Sequence, residues 1–218
     1  MYIQVANQSE LSVKYVIETH IHADHLSRAK ELAEYFNVPL FLPVPNKVQF
    51  PYHAILPDST FAIGNVILRT MGTPGHTLES VSFYIENSVV FTGDTLFTDG
   101  VGRPDLKSSE DESRNKASLL FHSLKKLLQL PDTVWILPAH TNKPVEFDRK
   151  MIYATIGSVK NNISLLKSDE NEFTGFLLQR IPEPPSNYLK IVDKNIRGDS
   201  ANGEAADLEA GANRCAIS

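Results

Sequence analysis

Apolar residues fall in short β-branched runs or alternate with polar ones through much of the chain, and change to helical spacing in a few places. Residues 12–19 (SVKYVIET) predict a strand, and residues 26–36 set Leu26, Ala29, Leu32, Ala33 and Phe36 at the spacing of a helix. Residues 39–57 hold five prolines, which predicts an irregular surface connection around at most one short strand, a candidate pocket wall. Residues 61–71 read as two strands joined at Gly64-Asn65, and residues 80–85 and 88–92 as two more joined at Glu86-Asn87. Farther on, Leu120, Phe121, Leu124, Leu127 and Leu128 share one stripe of a helix predicted over 112–128. Residues 133–137 (TVWIL) predict a buried strand, 149–166 another helix, and Ser168 a cap for a helix running to Leu178. Residues 181–185 (IPEPP) predict a stiff extended segment. From 197 to 218 only Leu208 and Ile217 are large and apolar, too few to offset the entropy of ordering, so a disordered tail is expected to follow one domain over 1–196.

Composition narrows the function classes. The 218 residues are 42% hydrophobic and 22% charged, enough apolar material for one globular core. Lys plus Arg number 21 against 26 Asp plus Glu, a net charge of −5, which supplies no basic field for a nucleic acid or an anionic membrane. Apolar runs fall short of the roughly 18–20 residues that cross a bilayer, and residues 1–10 lack the basic and apolar regions of a secretory signal. A cytoplasmic location is expected. The single cysteine, Cys215, excludes an internal disulfide or a Cys-rich zinc module, and is expected to be an unstructured thiol in the tail. Any metal must then be held by histidine and carboxylate.

Three of the seven histidines lie within six positions, His20-Ile21-His22-Ala23-Asp24-His25, directly after the first predicted strand. Alternation in an extended segment points the His20 and His22 imidazoles the same way, and a following turn returns Asp24 and His25 toward them. So many titratable groups at a strand end repel one another and lose solvation, and a divalent cation reverses both effects. Three later residues also stand at strand ends: His76 in Gly72-Thr73-Pro74-Gly75-His76-Thr77, Asp94 in Thr92-Gly93-Asp94-Thr95, and His140 in Leu137-Pro138-Ala139-His140. His53 and His122 have no such context and read as surface or partly buried imidazoles.

The ordered motifs THIHADHL, GTPGHT, FTGDTLF and PAH resemble the metallo-β-lactamase superfamily over about residues 13–195. That resemblance implies an α/β fold, an αββα sandwich with a metal site at one edge of its sheets. Members have a hairpin and a helix before the first motif, whereas only residues 1–11 precede it here, so the sandwich is expected to lack its first N-terminal strands. Asp94-Thr95-Leu96-Phe97, Val101-Gly102-Arg103-Pro104-Asp105 and Pro184-Pro185-Ser186-Asn187-Tyr188 resemble the persulfide dioxygenase branch. By that resemblance His20, His76 and Asp94 hold one Fe(II), the two-His-one-carboxylate set of oxygen chemistry. His22, Asp24, His25 and His140 then orient the ligands and tune their basicity. The implied reaction converts a low-molecular-weight thiol persulfide, such as glutathione persulfide, with O₂ and water into sulfite and free thiol. Arg103 is a candidate contact for a substrate carboxylate, with a salt bridge to Asp105 as the structural alternative.

The same residues serve a rival scheme: two zinc ions, one on His20, His22 and His76, the other on Asp24, His25 and His140, with Asp94 bridging. That centre would hydrolyse a thioester or lactone in the manner of glyoxalase II. A truncated, inactive fragment is a third reading, motivated by the short N-terminal part. After His140 the chain reads Thr141-Asn142-Lys143-Pro144, where glutathione-using members commonly carry an aromatic residue two places on, so the thiol carrier stays open. Homo-oligomerisation is equally open.

Overall fold

The computed structural model describes residues 2–43, 47–56, 58–141, 145–146, 148, 150–199, 205–211 and 215–217. These form two units, Met1–Leu56 with Asn187–Ala210 and Pro57–Ser186 with Gly211–Ser218. The late part of the chain is thus shared between units rather than trailing from one domain.

The first unit begins with helix α1 (Tyr2–Gln8), strand β1 (Val16–Ile17), helix α2 (Ala29–Phe36) and strands β2 (Leu40–Leu42) and β3 (His53–Ala54). Val16 pairs with Leu40 and Phe41 with His53, both in parallel, giving the order β1-β2-β3. The proline-rich connection therefore carries two short strands where at most one was expected. β1 is shorter than the predicted strand because the chain leaves the ladder after the Glu18 amide bonds to the Phe41 carbonyl, and the histidine cluster falls in the loop that follows. α2 ends at Asn37, whose left-handed conformation lets its amide reach the carbonyls of Ala33 and Glu34.

In the second unit strands β4 (Thr60–Ile63), β5 (Val66–Gly72), β6 (Val81–Ile85) and β7 (Val89–Gly93) form the antiparallel meander that the sequence predicted. Gly64, at φ 59°, occupies the first position of the two-residue β4–β5 turn, and Asn87 takes a left-handed conformation in the β6–β7 loop. Beyond β8 (Val101–Gly102) runs helix α3 (Glu110–Leu127), opened by a capping box between Ser109 and Glu112, with acidic residues in its first turn and Lys125 and Lys126 in its last. Its buried face presents Ala117, Leu120, Leu124 and Leu127. Strand β9 (Trp135–Pro138) pairs in parallel with β7, and β10 (Ala154–Thr155) antiparallel with β9, completing the order β10-β9-β7-β6-β5-β4.

The helix expected over 149–166 is interrupted: Ala154 pairs with Ile136, α4 spans only Ile156–Asn162, and a 3-10 turn covers Ser164–Lys167. Thr155 explains the late start, since its extended backbone suits the strand while its hydroxyl accepts from the Ser158 amide as an N-cap. Helix α5 (Glu170–Gln179) is capped by Asp169 rather than Ser168.

Helices α6 (Tyr188–Arg197) and α7 (Ala205–Leu208) return the chain to the first unit, where Val192 and Ile196 pack against Val16, Ile21, Ala33, Leu40 and Leu42. Strand β11 (Ala216–Ile217) pairs antiparallel with β8 in the second unit. The expected disordered tail is thereby corrected for its described residues. Ile217 enters the core of the second unit, and Cys215, expected to be an unstructured thiol, is buried. Composition could not reveal this, because a two-residue ladder to β8 satisfies backbone groups that the side chains do not advertise. Among the described residues no helix is long and apolar enough to cross a membrane.

Candidate metal centre

The first unit contributes a loop that carries four of the predicted site residues. His20 and His22 point to the same side, their ring centroids 4.4 Å apart, as alternation in an extended segment requires. The bend after them brings the His25 ring to 4.2 Å from that of His22, with His25 Nδ1 3.2 Å from Asp24 Oδ2. Ligand atoms of His22, Asp24 and His25 lie within 4.8 Å of one another.

Glu18, absent from the sequence-based set, anchors this group. Its Oε2 lies 2.8 Å from His22 Nε2, and its other oxygen accepts from the Ser27 hydroxyl. A carboxylate can only accept, so His22 carries its proton on Nε2 and presents Nδ1 toward Asp24 Oδ1 at 4.0 Å. Burial pushes the Glu18 carboxyl up, but the hydrogen bond and charge of His22, with Ser27 and His25, outweigh it and hold the group below its ordinary range. Glu18 stands two residues before His20 and four before His22, so the period-2 pattern that picked out the histidines also marked it. Nothing in the sequence marked Asn195, whose side chain donates to the carbonyls of His22 and His25 and accepts from the Ser27 amide.

The second unit places His76, Asp94 and His140 after the C-terminal ends of β5, β7 and β9. His76 Nδ1 is 2.8 Å from the Arg103 carbonyl, which can only accept, so Nδ1 is the protonated nitrogen. In the neutral ring Nε2 then carries a lone pair, and it faces Asp94 Oδ2 at 3.5 Å. His140 Nε2 stands 3.4 Å from the other oxygen of Asp94. Both separations exceed a good hydrogen bond, and ligands bound to one ion at about 2.1 Å stand roughly 3–3.5 Å apart. The donor set therefore fits a cation held beside Asp94.

Backbone approach makes this arrangement accessible. A Cβ on Gly102 would lie 1.8 Å from the Asp94 carbonyl oxygen and 3.3 Å from His76 Cβ, so only glycine lets β8 run this close. Gly75, at φ 147°, would likewise drive a side chain into Leu120. Buried hydroxyls of Thr73, Ser82 and Thr95 are linked by hydrogen bonds, tying the His76 turn to the Asp94 turn. Phe97 meets the His140 ring edge to face at 6.1 Å.

Of the two readings of Arg103, a substrate contact or a salt bridge to Asp105, the salt bridge is the one the geometry shows. Its side chain is fully buried, with Nε and Nη2 each 2.8 Å from an oxygen of Asp105. Nη2 and Nη1 also donate to the carbonyls of Pro182 and Glu183. The guanidinium is thus engaged with the protein itself, and what Arg103 offers the site is its carbonyl, which fixes His76. Cys215 accepts at its carbonyl from the Arg103 amide, and its sulfur lies within 4.8 Å of a ring nitrogen of His140. His53 sits on an exposed strand against Phe41, and His122 faces solvent beside Glu170, as read from the sequence. Asn142, where the chain departs from glutathione-using relatives, lies outside the described residues.

Comparison with known proteins places these motifs in context. A family model described as the metallo-beta-lactamase superfamily matches residues 3–140. Glyoxylase B2 of Dictyostelium discoideum is 34% identical over 166 residues, 66% of this chain and 55% of that protein. Hydroxyacylglutathione hydrolase of Brucella ovis is 32% identical over 132 residues, 59% of this chain and 48% of the relative. The chain thus spans about half the length of the curated relatives it matches. The crystal structure of ETHE1 from Myxococcus xanthus superposes with a TM-score of 0.72 at 24% identity, covering 97% of this chain and 83% of that one, a likeness of fold.

Proposed function

Because this chain belongs to the metallo-β-lactamase superfamily, a family of metal-dependent enzymes, we propose that it oxidises a low-molecular-weight thiol persulfide. In this reading His20, His76 and Asp94 hold one ferrous iron, and His22, Asp24, His25 and His140 surround it. The observation that carries it is the His76 imidazole, pinned at Nδ1 by the Arg103 carbonyl so that its bare Nε2 faces the Asp94 carboxylate. Support for the persulfide branch comes from what its motifs do here. Gly102 permits the close approach to Asp94, Arg103 holds His76, and Phe97 packs on His140.

When bound, iron on two imidazoles and one carboxylate supplies open positions for dioxygen and a substrate sulfur. The chain's own residues orient and move protons around it. Glu18 fixes the His22 tautomer, and Asp24 holds His25, whose partly exposed ring exchanges protons with solvent as thiol and sulfite form.

A second reading is favoured by the relatives that are named as a glyoxylase and a hydroxyacylglutathione hydrolase, and by the close group of His22, Asp24 and His25. There His20, His22, Asp24, His25, His76, Asp94 and His140 would together hold two zinc ions, which would supply an activated hydroxide, and the substrate would be a thioester of glutathione or a similar thiol. Anaerobic purification followed by iron and zinc analysis, oxygen uptake with glutathione persulfide and hydrolysis of a glutathione thioester separates the two. One iron per chain with persulfide-dependent uptake is expected. Two zincs with thioester hydrolysis and no uptake would establish the second reading instead.

A further inference from the structure

The histidine loop of the first unit has little secondary structure of its own, since β1 ends at Ile17 and α2 begins at Ala29. Something else must hold the bend through His22, Asp24 and His25. One side chain from the far end of the sequence meets three of the loop's backbone groups. Asn195 Nδ2 donates to the His22 carbonyl and to the His25 carbonyl, both at 2.9 Å, and its Oδ1 accepts from the Ser27 amide at 2.9 Å. Both amide protons and one carbonyl lone pair are thus spent on positions i, i+3 and i+5 of a single turn.

Helix α6 is itself fixed, which makes Asn195 a rigid clamp. Ile191 is buried, and Val192 and Ile196 pack into the core of the first unit. The helix ends at Gly198 in a left-handed conformation, φ 71°, and a Cβ there would strike the Phe50 ring. Lys30 of α2 donates to the Gly198 carbonyl, and the Gln49 amide to that of Ile196. Glu209 adds a parallel contact, accepting from the Leu26 amide at 2.8 Å.

We propose that Asn195 is the positioning residue of this loop: it sets the His22–His25 turn and thereby the direction of the Asp24 and His25 side chains. The carboxamide suits the task for a definite reason. The two carbonyls require donors and the amide requires an acceptor, and among side chains of this length only asparagine carries both at one planar end. Aspartate would set an acceptor against two carbonyl oxygens, and leucine would leave all three groups without that partner.

The consequence for metal binding rests on the metal-enzyme reading, whereas the clamp itself does not, so the experiment has two arms on the full chain. In metal-free protein, amide hydrogen exchange at Ser27 is expected to be protected in the wild type and to quicken at least tenfold in Asn195→Leu. In the second arm cobalt(II) is titrated as an optical probe. Asn195→Leu and Asn195→Asp are each expected to weaken cobalt affinity 10–100-fold and to alter the visible ligand-field bands. Val192→Ala, which loosens the packing of the same helix on the core but leaves all three Asn195 hydrogen bonds in place, is expected to keep both affinity and bands, so a general loss of packing is told apart from lost orientation. Unchanged Ser27 exchange in Asn195→Leu overturns the clamp. Cobalt affinity within twofold of the wild type in both Asn195 variants, or an equal loss in Val192→Ala, overturns the positioning role. If the wild type binds no cobalt, the metal-enzyme reading fails, and the exchange arm still decides the clamp.

Discussion

The two groups of candidate ligands are built in opposite ways. In the second unit His76, Asp94 and His140 follow the ends of strands in a six-stranded ladder, and the His76 and Asp94 side chains are 3% and 0% exposed. In the first unit the ligands sit in a loop beside a three-stranded sheet of short strands, and the His25 side chain is 42% exposed. The sheet fixes one group through many backbone hydrogen bonds, whereas the loop depends on a few side chains, Glu18, Asn195 and Glu209. The first group thus rests on backbone ladders and the second on side-chain hydrogen bonds.

That contrast is broken most severely at Asp94. Asp94→Ala is expected to abolish metal retention, and His25→Ala to leave the metal bound and lower turnover about 10–100-fold, as read by metal content and initial rates. If His25→Ala strips the metal as fully as Asp94→Ala does, the mononuclear assignment is wrong. Next in size is Arg103→Met. Removing a fully buried guanidinium strands Asp105 and two carbonyls, at an expected cost of about 3–5 kcal/mol in denaturant unfolding. It should also loosen metal binding through His76, whose Nδ1 the carbonyl of residue 103 holds.

Glu18→Gln gives a smaller, pH-dependent effect in the metal-free protein. A carboxyl held below its ordinary value of about 4.5 adds stability that is present above that pH and lost as pH falls through the lowered folded value. The stability gap between wild type and Glu18→Gln should therefore be widest near neutrality and close on acidification below about 4.5. A gap that stays constant from pH 7 to pH 3 would remove Glu18 from its assigned role. The mildest probe is alkylation of Cys215, which is buried beside β8. It should react roughly a hundredfold or more slowly than an open thiol until the second unit unfolds, a rate that a maleimide assay measures directly.

The parts of this architecture that could be read beforehand are those decided locally. Alternation and turn residues were enough for the hairpins at Gly64 and Asn87, and the helical spacing of Leu120, Leu124 and Leu127 for α3. The histidine cluster announced its common side through the period of an extended chain. Readings failed where a distant partner decided the outcome. β10 replaced the start of a helix because Ile136 offered Ala154 a ladder, and β11 took shape because β8 had an open edge. For Arg103 the sequence left a substrate contact and a salt bridge to Asp105 both open, and the distant carbonyls of Pro182 and Glu183 complete its engagement with the protein itself.

From the one-dimensional chain alone came the residue types able to hold a metal, their order, and the family to which they point. That much is chemistry and short-range geometry, carried by His20, His22, Asp24, His25, His76, Asp94 and His140. The tertiary structure alone decided which nitrogen of His22 and of His76 keeps its proton, that Arg103 serves the site through its backbone, and that Asn195 reaches back about 170 residues to hold the histidine loop. These depend on hydrogen-bond partners far apart in sequence, and no local pattern encodes which acceptor a folded chain will bring to a given donor.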